Sequence, residues 1–436
     1  MGLLDHPAST LDEHLGSGGG RGLERALSMA PEGVIEEIDA SGLRGRGGGG
    51  FPTGKKWAAV RSVGTGTRTV VCNAAEGEPA TFKDRFLIRA NPYRLIDGVS
   101  IAAYAVGAER AYIGLKETFR AEVETLSRAL KEMDASGALT VPVELVLGPD
   151  HYLLGEETGL LEVIEERDPL PRLARPFMLG LFASPPDDNP TLVNNVETLS
   201  NVAHVLAEGP DWLRATGTEA SPGTQVFTVA GDVEREGVFE YPLGTPLRQL
   251  LDEAAGGVRN GVKAIFPGAA NTVLLPEQLD TPLDYESMRA VGSGLGAGGF
   301  AVYDTTTCIV EAARLFLRFL HVESCGQCPP CKVNSAGLLS FFEAVEAGED
   351  AGDLDVALQR ARTVTDGQKC GLPTGTSLLG QSILLTFEAE IREHGGRSCP
   401  GPRALKLPKL VDLDPEAGRF RLDEAYEAKR ADWTYA

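Results

Sequence analysis

Four of the seven cysteines fall in one arrangement, Cys325-x2-Cys328-x2-Cys331 followed after 38 residues by Cys370. Three thiolates from one tight loop can hold three corners of a cube while a distant fourth closes it, which suits a [4Fe-4S] cluster. Structural zinc sites more often pair two separate C-x2-C knuckles, and a four-cysteine zinc site is the alternative left open by this spacing. Gly326 and Pro329-Pro330 would bend the backbone around the metal, and Lys332 with the helix behind it would offset thiolate charge. Cys72, Cys308 and Cys399 lack such spacing and read as lone thiols, the first two buried.

A second constellation runs from Gly42 to Trp57, where seven glycines up to Gly54 are interleaved with Arg44, Arg46, Lys55, Lys56, Phe51 and Trp57. A flexible linker has no use for cations and rings at such positions. Exposed peptide N–H groups and cations suit a phosphate, and an aromatic ring suits a flat heterocycle. Gly45-Arg46-Gly47-Gly48-Gly49-Gly50 also satisfies the G-x-G-x-x-G dinucleotide fingerprint, but a helix with Val34, Ile35 and Ile38 at helical spacing precedes it where a strand is required. A standard Rossmann site at this loop is therefore not expected. Three more loops carry polar groups: Asn73 to Pro79 with Glu76 and Glu78, Gly148 to Thr158 with Glu156 and Glu157, and Asn194 to Thr198. Helix capping and macrodipole pairing explain the last two loops equally well.

These loops need a frame. Short strands are predicted at Thr67–Cys72, Ala111–Leu115 and Val141–Leu147, alternating with helices at Tyr93–Val106 and Thr118–Met133, which implies an α/β domain with a mostly parallel sheet. After a composition shift near Gly217, four strands (Gln225–Val229, Gly237–Tyr241, Val262–Phe266, Gly299–Tyr303) and a helix at Pro246–Ala254 describe a small α+β module. From Thr307 the pattern is helical, with a stripe of Ile309, Ala313, Phe316, Leu317 and Leu320 and further helices at Val333–Glu346 and Gly380–His394. The expected divisions are a leader (1–30), an α/β domain (31–216), the small module (217–303), a helical region (304–396) and a tail (397–436) with a short polar helix near Asp423–Arg430.

With 41 Lys and Arg against 62 Asp and Glu, the net charge of -21 opposes nucleic-acid binding. No apolar run reaches the roughly 18 residues a membrane span needs, and the N-terminus lacks a secretory pattern, so a cytoplasmic protein docked on something larger is expected.

Taken together, GLRGRGGGGFPTGKKW, NAAEGEPATFKDR, GEET, NNVETL and SCGQCPPC resemble the NADH-binding flavoprotein subunit of respiratory complex I and the diaphorase subunits of NAD-linked hydrogenases and formate dehydrogenases, over residues 9 to 395. The resemblance implies a Rossmann-like domain that binds FMN, a ubiquitin-like β-grasp module and a helical bundle holding a [4Fe-4S] cluster on Cys325, Cys328, Cys331 and Cys370. It places Gly45, Arg46, Gly47 and Lys56 at FMN, Phe51 beside the nicotinamide nucleotide, and Asn73, Glu76 and Glu78 at flavin and NADH. Tyr152, Gly155, Glu156 and Glu157 form a second wall, Phe177 stacks on adenine, and Asn194, Asn195 and Thr198 contact FMN. Glu78 and Glu157 are the residues expected to bias the flavin's charge. Where the family usually has Asp and Gly, this chain has Ala75 and Ala80; a paralogue that keeps the fold and cluster without oxidising NADH is the alternative. Expected partners are a thioredoxin-like [2Fe-2S] subunit and a further iron-sulfur electron acceptor, neither being fused here.

Overall fold

The computed structural model describes residues 2–394, 397 and 403–433. Three N-terminal helices, α1 (Leu11–Gly16), α2 (Arg21–Leu27) and α3 (Pro31–Ser41), lead to the glycine loop, and α4 (Thr53–Ser62) follows it. Pro31 starts α3 at a position where its missing N–H costs nothing, and Val34, Ile35 and Ile38 form its buried face. Gly42 ends it with φ 72°, a left-handed conformation open to glycine. The glycine loop is thus entered from a helix, as the sequence requires.

The sheet that follows contains β1 (Thr69–Asn73), β2 (Arg110–Lys116), β3 (Val143–Gly148) and β4 (Thr191–Asn195), with α5 (Lys83–Ala90), α6 (Pro92–Val106), α7 (Arg120–Ser136), α8 (Glu157–Ile164), α9 (Val196–Glu208) and α10 (Pro210–Arg214) around it. All neighbours are parallel, in the order β3-β2-β1-β4. The long apolar stretch from Leu95 to Leu115 is a buried helix, α6, and the inner strand β2, which explains its greasiness without a membrane. From β1 the chain builds β2 and β3 on one side and later adds β4 on the other. This reversal leaves a crevice beyond the carboxyl ends of β1 and β4, where Asn73 and Asn195 lie side by side in register.

The next unit has β5 (Thr224–Gly231), β6 (Gly237–Pro242), α11 (Leu247–Gln249), β7 (Val262–Phe266), α12 (Tyr285–Ala290) and β8 (Gly299–Asp304), in sheet order β6-β5-β8-β7 with only β5 and β8 parallel. Its core is Phe227, Val229, Leu247, Leu250, Leu283, Met288 and Phe300. Helices α13 (Ile309–Glu323), α14 (Pro329–Ala347), α15 (Leu354–Thr363), α16 (Leu372–Thr386) and α17 (Glu388–Glu393) then pack around Phe316, Leu320, Leu338, Phe342, Leu379 and Ile383.

The predicted elements occur with shifted ends, the helix expected at Gly380–His394 being divided between α16 and α17, but β4, α1, α4, α5, α10, α12 and α15 were not expected. The last stretch corrects the expectation of a tail. Among residues 403–433, β9 (Leu410–Asp414) and β10 (Arg419–Leu422) pair as a hairpin, followed by a short helical turn at Glu424–Ala428. Ala80 N–H donates to Pro408 O at 2.7 Å, Phe420 lies 5.6 Å from Phe82, and Trp433 Nε1–H donates to Val322 O at 3.0 Å. Lys429 and Glu323 form a fully buried ion pair at 2.9 Å. A run rich in Pro, Lys and Arg reads as solvated when its partners lie a hundred or more residues away. Cys399 lies outside the described residues.

Candidate functional site

The glycine loop is held at its base by Gly45 N–H to Phe51 O (2.9 Å) and by a bridge between Arg44 and Pro52. Arg46 N–H donates to Thr198 Oγ1 at 2.9 Å, which ties the loop to α9. Beside it a cleft of about 470 Å3 opens at the ends of β1 and β4. It brings together Gly45, Gly47, Phe51, Lys56, Asn73, Glu76, Glu78, Tyr152, Gly155, Glu156, Glu157, Asn194, Asn195 and Thr198, all expected from sequence. Two expected residues are not on this lining. Arg46 is fully buried with its guanidinium turned to Pro222 O (2.9 Å) and Tyr285 Oη (3.4 Å), so its charge docks the loop onto the second unit. Phe177 stands outside the cleft on a partly exposed loop with Met178 and Leu179.

Most polar groups on the lining hold one another. Asn73 Nδ2–H donates to Gly155 O at 2.7 Å, fixing the turn Tyr152–Gly155 against β1. Glu156 caps α8 by accepting from Thr158 N–H and Gly159 N–H at 2.8 and 2.9 Å, the plain helix-end role. Glu76 accepts from Asp84 N–H and pairs with Arg85 at 3.1 Å; burial, reinforced by Asp84, pushes its carboxyl above the usual range. Glu78 accepts from Tyr152 Oη–H and Ala269 N–H, each at 2.6 Å, and burial raises both Glu78 and Tyr152. Lys56 pairs with Glu157.

What remains free faces the cleft. The N–H groups of Gly47, Gly48 and Gly49 donate to no protein acceptor among the described residues. Asn194 accepts from Trp57 Nε1–H at 2.8 Å through its oxygen, which leaves its amide NH2 unpaired on the lining among the described residues. A Cβ at Gly47 would come within 3.1 Å of Asn195 Cβ, and one at Gly155 within 3.0 Å of Ala75 O, so the walls depend on bare backbone there. Unpaired N–H donors, one lysine and an exposed Phe51 ring fit a phosphate carried by a flat heterocycle.

Sequence reasoning gave no role to Asp84 on the cleft lining or to Lys83 and Glu197 beneath it. Lys83 is fully buried, 2.8 Å from both Asp84 and Glu197, and Asp84 accepts from Asn195 Nδ2–H at 2.6 Å. Burial alone would lower Lys83, but the two carboxylates hold its ammonium above the ordinary range. The signal was present in FKDR and NNVETL: charged residues inside otherwise buried stretches.

Cys325, Cys328, Cys331 and Cys370 surround a second, smaller cavity with Leu153 and Leu372. Among the described residues no three His, Cys, Asp or Glu side chains are placed to hold a single ion. All four thiols line this one cavity, a donor set and spacing that suit a multi-atom cluster. Cys328 caps α14 and Cys331 sits in its first turn, while Cys370 and Gly371 precede α16, so two helix N-termini meet the thiols. Gly326 adopts φ 78° between the first two cysteines, and Ser324 Oγ lies 3.2 Å from Cys331 Sγ. Lys332 beside Cys331 donates to the Ser324 and Ala431 carbonyls at 2.7 Å each, which anchors its charge.

Residues 38–204 match the Nuo51 FMN-binding domain, residues 226–268 the SLBB domain, and residues 311–394 the NADH-ubiquinone oxidoreductase-F iron-sulfur binding region. An NADH-quinone oxidoreductase F subunit of Rhizobium meliloti is 37% identical, covering 89% of this chain and 96% of the relative. The corresponding F subunit of Streptomyces coelicolor is 40% identical, covering 90% and 89%. The crystal structure of an NAD+-reducing [NiFe]-hydrogenase in the H2-reduced state superposes with a TM-score of 0.79 at 31% identity, over 89% of this chain and 67% of that one. The chain belongs to the family of NADH-quinone oxidoreductase F subunits.

Proposed function

We propose that this chain accepts hydride from NADH at FMN and passes single electrons through a [4Fe-4S] cluster to a partner iron-sulfur subunit of a larger oxidoreductase. One observation carries the reading: Leu153 and Leu372, both buried, line the cleft and the cysteine cavity at once, and Gly371 lines the cleft immediately after Cys370. A donor site and a cysteine ligand are therefore separated by one layer of side chains and joined by a short run of backbone.

Bound FMN supplies hydride chemistry and the bound cluster supplies one-electron chemistry. The chain's residues supply position and dryness. The free N–H groups of Gly47, Gly48 and Gly49, with Lys56, would hold the FMN phosphate, and the Asn194 amide would meet the flavin edge. Phe51, exposed at the cleft mouth, would stack on the nicotinamide nucleotide. Glu78 and Glu157 set the charge around the rings, and no side chain need move a proton at the hydride step. Cys325, Cys328, Cys331 and Cys370 would hold the cluster, and the Leu153–Leu372 layer keeps water from the space between the two groups.

We assign residues 217–303 to a β-grasp module and 304–396 to a helical bundle, with the α/β domain at 31–216. A thioredoxin-like [2Fe-2S] subunit and a further iron-sulfur acceptor complete the route. Among the described residues no helix is long and apolar enough to cross a membrane, so any membrane contact would run through the complex. The test is anaerobic: NADH should bleach the flavin band of the FMN-loaded chain, and Glu157→Gln should change the rate. A flavin-loaded sample that NADH does not bleach overturns the proposal.

A further inference from the structure

A third cavity, of about 290 Å3, lies between the N-terminal segment and helices α6 and α9 and shares no lining residue with the cleft or the cysteine cavity. Ser17, Gly18, Gly19 and Gly20, which read from sequence as part of a loose leader, form one side of it. His6, His14 and His204 line it together, and each has one buried ring nitrogen without a hydrogen-bond partner among the described residues: His6 Nε2, His14 Nδ1 and His204 Nε2.

The charges around it are unevenly met. Of the two carboxylates on the lining, Asp97 accepts from His14 Nε2–H at 2.8 Å and from Gly20 N–H at 3.0 Å, and Glu208 pairs with Arg21 at 3.1 Å. Arg94 is buried on the same lining and donates to the carbonyls of Leu3 and His6, both neutral acceptors. Burial outweighs the pull of Glu240, Asp97 and Asp5 and lowers the Arg94 guanidinium below its ordinary range. The local field is positive enough that burial, with Arg94, His6 and His14, pushes His204 down to about 3. A buried cation held by neutral acceptors and ring nitrogens without partners are both costly, in a chain whose net charge is -21.

We propose that this cavity binds a small oxyanion of phosphate type, free or carried as a phosphomonoester, with the His6 and His204 imidazole N–H groups as donors and the Arg94 charge as counter-ion. One bound oxyanion meets both deficits at once. The volume sits at the lower end of small-molecule sites, which excludes a dinucleotide.

Trp212 stacks on His204 at 5.3 Å and supplies a reporter inside the full chain. With FMN saturating, so that the phosphate positions of the cleft are filled, inorganic phosphate and glycerol phosphate are titrated against chloride at equal ionic strength. Trp212 emission should change saturably, and the unfolding midpoint should rise on the order of 2–4 °C at about a hundred times the dissociation constant. Tighter binding of glycerol phosphate identifies a phosphomonoester as the ligand, and equal or tighter binding of inorganic phosphate identifies the free ion. His204→Gln should weaken the response at least tenfold with NADH bleaching unchanged, and His6→Gln is the second variant should the first fold poorly. The proposal is overturned if neither anion acts beyond chloride, which leaves a water-filled hole, or if both variants titrate like the parent.

Discussion

The cleft and the cysteine cavity share a wall but are built in opposite ways. The cysteine cavity takes its four thiols from two short stretches, and each thiol would bond its metal directly. The cleft draws its lining from the glycine loop, the ends of β1 and β4, the Tyr152–Gly155 turn, Ala270 and Ala297 of the second unit, and Gly371 beside the cysteines. Few of its side chains are free for a ligand; most brace each other so that backbone N–H groups stay exposed. A site of strong bonds needs few residues and fails when one is lost, whereas a site of many weak contacts fails by degrees.

The largest expected effect tests the first half of that contrast. Cys331→Ala removes a buried thiol from the first turn of α14 and should abolish iron-sulfur absorbance and electron delivery to any acceptor downstream of the proposed cluster. Flavin bleaching by NADH should persist. If bleaching disappears as well, with FMN still bound, the two cavities are one unit and the comparison breaks.

Lys83→Met ranks next because it attacks the bracing. It would leave Asp84 and Glu197 buried without their shared cation, a change that costs about 3–5 kcal/mol for a buried pair broken on one side. The unfolding midpoint should fall, and FMN should be lost in parallel because Asn195 Oδ1 loses the Lys83 ammonium that donates to it at 3.3 Å. An unchanged midpoint would mean that the network does not carry the cleft.

Lys56→Ala should act by degrees. Lys56 is partly exposed and already paired with the partly exposed Glu157, so solvent and that pair blunt its attraction for a phosphate. FMN affinity should drop about tenfold, close to 1.4 kcal/mol, with stability unchanged. A loss of a thousandfold in an FMN titration would show that one strong contact dominates the cleft after all.

The same contrast explains what could be read from sequence. The Cys325, Cys328, Cys331 and Cys370 spacing carries its chemistry in one dimension, and the short turn of Gly326 between cysteines follows from it. The glycine loop announced a ligand, and its entry from α3 excluded the dinucleotide fingerprint. Strand β4 stayed hidden because Thr191–Asn195 is five residues with no alternation, wholly dependent on pairing with β1. The Lys83–Glu197 pair spans 114 positions, and the inward turn of Arg46 depends on Pro222 and Tyr285. No local pattern encodes such contacts, and the hairpin of residues 410–422 stayed illegible for the same reason.

The smallest effect is expected at Ala80, the position where the resemblance implies a glycine. Ala80 adopts φ 60°, a left-handed conformation that costs a residue with a Cβ about 1–2 kcal/mol. Glycine would relieve that strain, yet it would add unfolded-chain freedom worth about 0.4–1 kcal/mol. It would also remove a fully buried methyl packed in the core with Phe82, worth about 0.8 kcal/mol. The terms nearly cancel, so Ala80→Gly should move stability by less than about 1 kcal/mol. Because Ala80 does not line the cleft, FMN affinity should stay within twofold. Denaturant unfolding and an FMN titration on one preparation read both numbers. A gain beyond about 2 kcal/mol would mean that the methyl packs poorly and that the strain is real. A change in FMN affinity would mean that the backbone at position 80 holds Glu78 and Tyr152 in place, and that the cleft is as brittle as the cysteine cavity.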